Sequence, residues 1–112
     1  MTDEELKNLL LPHQSNSVVK SCLNDIDGGQ LLSHNSGSIA QAEWARTLRI
    51  RSGIWKSKNV PMSGVDEALA ALRSDETSRV YMVAVVSNPH GFSFLFDDHQ
   101  KLLAAISFGR RV

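Results

Sequence analysis

Apolar residues recur along this chain with two periods, and the change from one to the other marks out its elements. Near the start, Leu6, Leu9 and Leu10 share one helical face behind Thr2-Asp3-Glu4-Glu5. Thr2 and Glu5 have the spacing of a capping box, in which each side chain satisfies the other's backbone N–H. Pro12 closes this short helix. A second helix is expected from Ser15 or Asn16, because Val18, Val19, Cys22, Leu23 and Ile26 recur at helical spacing. Gly28-Gly29 should stop it, since glycine takes a left-handed backbone at little cost.

The polar run Ser33 to Ser38 reads as a loop. Ser38 and Gln41 form a second possible capping box, and Ile39 to Leu48 suits a helix with Trp44, Ala45 and Leu48 on one side. Leu48-Arg49-Ile50-Arg51 alternates as a half-exposed strand would, yet it can also finish the helix. We read helix to about Arg51, a break at Gly53, and a loop from Ile54 to Met62. Ser63 can cap a further helix running to Arg73, in which Val65, Ala68, Leu69 and Leu72 make an amphipathic stripe. Asp66 and Glu67 in its first turn and Arg73 in its last suit the helix dipole.

The period then changes. Val80 to Val86 is continuously apolar and rich in β-branched residues, as in a strand covered on both faces. Asn88-Pro89-His90-Gly91 has turn chemistry. Phe92, Phe94 and Phe96 alternate with Ser93 and Leu95, so the three rings share a face. Asp97 to Gln100 forms a second turn, Leu102 to Phe108 a third strand, and Gly109 to Val112 a polar tail. Such short connections force antiparallel neighbours, because a parallel return needs a crossover of about a dozen residues or more. The expected fold is α+β: one domain over residues 1–112, with a three-stranded antiparallel meander at the C-terminus packed against N-terminal helices. The helix from Ser63 to Arg73 is the expected cover for one sheet face.

Composition narrows the function. Apolar residues are 42% and charged residues 21% of 112, within the globular range. Lys plus Arg and Asp plus Glu are 12 each, so neither a basic nucleic-acid coat nor an acidic mimic of DNA is expected. Cys22 is the only cysteine, which removes intrachain disulfides and cysteine metal clusters and suits the cytoplasm. The acidic start is unlike a signal peptide. The run Val80 to Val86 is too short to span a bilayer as a helix, and no membrane partner is expected.

No constellation points to catalysis. His13, His34, His90 and His99 stand apart, and strand rise puts His90 and His99 about 25–30 Å from each other. Asp97-Asp98-His99 is the one acid–His cluster and reads first as a solvated turn, with a small enzymatic site at Asp98 and His99 as a minor alternative. Gly28-Gly29 belongs to no phosphate-binding pattern. Asp25/Asp27 and Asp66/Glu67 read as helix-end residues. No catalytic residue, metal ligand or cofactor is assigned.

The charges are distributed unevenly. Between Trp44 and Val65 lie Arg46, Arg49, Arg51, Lys56 and Lys58 and no acid, with Trp55 among them. Arg and Trp are enriched at binding hot spots, and basic residues among aromatics also suit nucleic acid. Arg49, Arg51, Trp55, Asp97 and Asp98 are the candidate partner-binding residues. The oligomeric state is left open.

The stretch Gly91 to Leu103, Gly-Phe-Ser-Phe-Leu-Phe-Asp-Asp-His-Gln-Lys-Leu-Leu, resembles the closing hairpin of small bacterial immunity proteins of the contact-dependent growth inhibition type. The resemblance rests on aromatic alternation, an acidic turn and an aliphatic strand. It implies a non-enzymatic cytoplasmic protein whose partner is a cognate toxin domain. The neutral net charge and basic middle depart from the acidic character of many immunity proteins that block nucleases. A nucleic-acid-binding or regulatory module using Arg46 to Lys58 is the alternative.

Overall fold

The computed structural model describes residues 1–109; the expected tail beyond Gly109 lies outside the described residues. Helix α1 spans Asp3–Leu10 and begins with the expected capping box: Thr2 Oγ1 accepts from Glu5 N and Glu5 Oε1 accepts from Thr2 N, each at 3.1 Å. A 3-10 turn over Leu11–His13 leads to α2, Ser17–Asp27, whose first N–H groups at Val18 and Val19 are taken by Asn16 Oδ1. The chain leaves α2 through Gly28 and through Gly29 at φ 72°.

The first departure from expectation follows. Ser33 to Ser38 is not a loop but the middle of a ten-residue strand, β1, Leu31–Ala40. It pairs antiparallel with β3, Arg79–Ser87, from Leu31 opposite Ser87 to Ala40 opposite Arg79. Its side chains have turn chemistry, but strand pairing uses backbone groups that every one of these residues carries.

Helix α3, Gln41–Ser57, starts directly after β1 without a side-chain cap. The expected Ser38 cap is replaced by tertiary bonds: Gln41 N donates to Ser78 O at 3.0 Å and Ala42 N to Glu76 O at 2.6 Å. The buried Gln41 side chain donates to Ser78 Oγ and accepts from Arg73 N. The helix passes Arg51 and Gly53 and extends through Ile54 to Ser57, where a break and a loop were expected. Trp44, Ala45, Leu48 and Ser52 form its buried face, and Trp55 extends that contact by stacking on Phe108 at 4.0 Å between ring centroids. Phe108 in turn lies over Gly91, where a Cβ would collide with the ring. These contacts outweigh the cost of one helical glycine, roughly 1 kcal/mol.

Strand β2 is only Met62–Ser63, and α4 is Val65–Ala70, shorter than the expected helix to Arg73. Ser63 does not cap it. Its hydroxyl bonds Ser107 Oγ, and Gly64 enters the helix at φ 87°. Leu72, beyond the helix, still packs on the core.

Strands β3, β4 (His90–Phe96) and β5 (Leu102–Gly109) form the expected meander, with Val83, Phe94 and Ala105 in register. Its first turn is tighter than expected, since only Asn88 and Pro89 lie between the strands. The meander is the centre of a five-stranded antiparallel sheet, ordered β1-β3-β4-β5-β2. A bulge between Leu95 and Phe96 shifts the register of β5.

Both faces of this sheet are covered. Phe92, Phe94, Phe96, Val83 and Val85 pack against Leu6 and Leu10 of α1 and Val19, Cys22 and Leu23 of α2. On the opposite face Val80, Leu95, Ala104 and Ile106 meet Trp44 and Leu48 of α3 and Ala68 of α4. The expected cover from the Ser63–Arg73 region is therefore half of one layer, shared with α3.

Three substitutions probe this arrangement in thermal or urea unfolding. Phe94→Ala, at a fully buried site, should cost about 3–5 kcal/mol. Gly53→Ala, where a methyl group meets nothing within 4 Å, should stabilise the protein by about 0.5–1 kcal/mol. Gly64→Ala should destabilise it, because the new Cβ would overlap the Ala105 carbonyl and the backbone is left-handed.

Candidate partner-binding surface

At about 100° per residue, α3 presents an outer face opposite Trp44, Leu48 and Ser52. Ile50 and Ile54 lie one turn apart along it and are 58% and 46% exposed. Arg46 precedes them, Arg49 and Lys56 fall on one flank, and Arg51 and Lys58 fall on the other. All five cations are exposed. Among the described residues none of them joins an ion pair; the recorded pairs involve Lys7, Arg73 and histidines instead. The one acid of α3 is Glu43, in its first turn. The helix thus carries an apolar strip bordered on both sides by positive charge.

The five expected contact residues do not converge. Arg49 and Arg51 sit on this face. Trp55 shares the helix, but its ring is half-buried against Phe108 and anchors α3 to the sheet. Asp97 and Asp98 lie in the β4–β5 turn, at the end of β5 away from Phe108, roughly 20 Å along the strand. There they border a cavity of 590 Å³ with Glu5, Asn8 and Tyr81, on the side of the sheet that α1 covers.

Asp97 is largely occupied by the turn. Its Oδ1 accepts from His99 N at 2.8 Å and Lys101 N at 2.9 Å, and its side chain is 11% exposed. These N–H groups, first that of Lys101, hold the carboxyl below its ordinary value, aided by the nearby His99 and Arg73. Asp98, 85% exposed, is free for contact. His99 Nε2 stands 3.8 Å from its carboxylate, both on the open surface.

A polar cluster that sequence spacing did not reveal lies between α2 and the β3–β4 turn. Ser87 Oγ donates to Asp25 Oδ2 at 2.5 Å, and His90 Nδ1 lies 2.9 Å from the same oxygen. Asp25 and Ser87 are buried, and 62 and 65 residues separate Asp25 from its two partners. Asp25 and Asp27 both lie at the end of α2 as expected, but Asp25 faces inward while Asp27 pairs with Lys7 at 2.9 Å on the surface. The cluster is not arranged for nucleophilic attack. That chemistry needs the imidazole against the hydroxyl, and here the carboxylate takes both. It ties α2 to the hairpin instead.

Cys22 is fully buried, and burial, with a smaller contribution from Asp25, pushes its thiol up to about 12. Among the described residues no three His, Cys, Asp or Glu side chains gather as a metal site. No described helix is long and apolar enough to cross a membrane. Compared with protein-family models, curated proteins and solved structures, the chain matches none.

Three measurements check this geometry. Asp25→Ala should cost roughly 1–2 kcal/mol in urea unfolding, because it removes the acceptor shared by Ser87 and His90 and leaves the Ser87 hydroxyl only its longer contact to His90 O at 3.2 Å. Cys22 should react with iodoacetamide at neutral pH only as the protein unfolds. Because the Asp97 carboxyl is held low, its ionised form stabilises the fold above the unfolded value of about 3.9, and that stability drains away as pH falls through the lower folded value. Asp97→Asn keeps the side-chain acceptor and should therefore lose less stability than the unaltered protein as pH falls below about 4.

Proposed function

We propose that this chain is a non-enzymatic cytoplasmic binding protein that lays the outer face of α3 against an acidic protein surface. In the reading that best joins this face to the C-terminal resemblance, the partner is a toxin domain and the chain is its immunity protein. The observation that carries the proposal is the pair of exposed isoleucines, Ile50 and Ile54, set between cations that have no partner among the described residues. One turn apart on a helix, they have the spacing of anchors that enter an apolar groove. The surrounding Arg and Lys side chains supply steering and register against an acidic rim. Trp55, fixed by Phe108, would add rigidity beneath the face rather than a free anchor.

The same cations suit a nucleic-acid backbone, and Gly53, with open space above it, would let a phosphate approach α3 closely. The isoleucines favour protein, since a phosphate chain gains little from them. The two readings separate by salt. Binding of mixed DNA or RNA would fall as a steep power of salt concentration, whereas a protein complex would lose association rate and keep most of its contact energy.

The deciding experiment co-expresses this chain with the toxic domain of any toxin encoded beside its gene. The unaltered chain should restore growth and bind the purified domain. Ile50→Asp combined with Arg49→Glu should weaken binding by about a hundredfold while leaving the circular dichroism spectrum unchanged. Protection that survives both changes, or no protection at all, removes this assignment of the α3 face.

A further inference from the structure

The two edges of the sheet are built differently. Beyond β5 lies β2, pairing Met62 and Ser63 with Phe108 and Ser107. Next come Gly64 and α4, and Gly64 approaches β5 so closely that any side chain there would strike the Ala105 carbonyl. That edge is closed by the chain itself. At the other end the sheet stops at β1.

A free strand edge offers unpaired N–H and C=O groups to another strand, and proteins usually blunt it with Lys, Pro, charge or bulges. β1 runs Leu-Leu-Ser-His-Asn-Ser-Gly-Ser-Ile-Ala over ten residues, without a proline or a formal charge. Its one bulge lies at the start, between Leu31 and Ser33. Arg79 reaches over Ser38 near the other end. Between these points Ser33, Asn35 and Ser36 are exposed, and Leu32 beside them is 60% exposed. The His34 side chain is drawn to Asp3 on the α1 side of the sheet and leaves the edge clear.

We propose that β1 pairs antiparallel with β1 of a second copy of this chain, across a twofold axis at Ser36, so that the two sheets continue into one. A twofold axis normal to a sheet keeps every side chain on its own face. With side chains alternating along a strand, such an axis must pass beside a residue that faces itself. Ser36 is the residue at the middle of the run from Ser33 to Ile39, past the bulge. With Ser36 opposite Ser36, Asn35 faces Gly37, His34 faces Ser38 and Ser33 faces Ile39. Every pair sets a small residue against its partner, so none is crowded, and none opposes like charges. The self-facing Ser36 hydroxyls can bond each other. Zero net charge leaves no long-range repulsion between two copies.

Occupancy by a second copy, rather than by a foreign strand, follows from this self-matching register. It does not rest on the α3 surface, which lies on another part of the molecule and can succeed or fail separately.

Sedimentation of the full chain at micromolar concentrations should show a dimer. Ser36→Lys would place two like charges together on the axis and should weaken the dimer about tenfold or more. Ser36→Cys should form an interchain disulfide under mild oxidation with diamide. A self-facing residue has its Cα atoms roughly 4.5–5.5 Å apart, inside the range a disulfide spans, and Cys22 is buried away from reaction. Ser74→Cys, on an exposed loop, controls for random collisions and should cross-link far more slowly. Hydrogen exchange of the unaltered chain gives a readout that needs no variant, because amide protection in residues 33–39 should rise with protein concentration. A monomer throughout, which would leave the edge to a strand of some other protein, overturns the proposal. So does a dimer indifferent to Ser36→Lys, or equal cross-linking at Ser36 and Ser74.

Discussion

Strands β3, β4 and β5 carry apolar side chains on both faces, and a sheet of that kind needs covering twice. Val83, Val85 and the three phenylalanines bury one face; Val80, Leu95, Ala104 and Ile106 bury the other. Leaving either face in water would forfeit roughly 1.5–3 kcal/mol for each large side chain. The four helices therefore divide into two pairs. α1 and α2 precede the sheet and close over the phenylalanine face. α3 and α4 lie between β1 and β3 in the chain and close over the other. The connection from β1 to its neighbour β3 thus has to hold two helices and the short β2.

The charges follow from this layering. Many of the acids serve local structure. Glu5 closes a capping box, Asp25 ties α2 to the hairpin, Asp27 pairs with Lys7 and Asp97 holds the last turn. The cations of α3 have no such duties among the described residues, because the helix turns its apolar side to the sheet and its basic side outward. A chain of zero net charge consequently presents a locally basic helix with two isoleucines in its midst. The acidic β4–β5 turn stands apart from it, which is why residues that looked like one binding set in the sequence occupy two separate surfaces.

The helices were legible where their signals were local. The Thr2–Glu5 box, the Asn16 cap and the Gly28-Gly29 stop lie within a few residues of the groups they satisfy, and so does the meander's alternation of Phe92, Phe94 and Phe96. The errors fell where a distant partner supplied what the neighbours lacked. β1 looked like a loop because its strand character comes from the β3 backbone. α3 began at Gln41 because Ser78 and Glu76, far along the chain, cap it. It passed Gly53 because Trp55 found Phe108. The Asp25, Ser87 and His90 cluster left no trace in local spacing at all.

Side-chain pattern alone was enough to read that Val80 to Val86 is buried on both faces, which helix faces are apolar, and that the cations lie together on one stretch of chain. These properties depend on side-chain type and on neighbours a few residues away. That the sheet has five strands rather than three, that β1 is its open edge and β2 with α4 its closed one, and that Trp55 is an anchor within the fold all depend on long-range pairing. Backbone pairing is blind to side-chain identity, and an edge is defined by what fails to pair with it. Neither can be read until the whole sheet has formed.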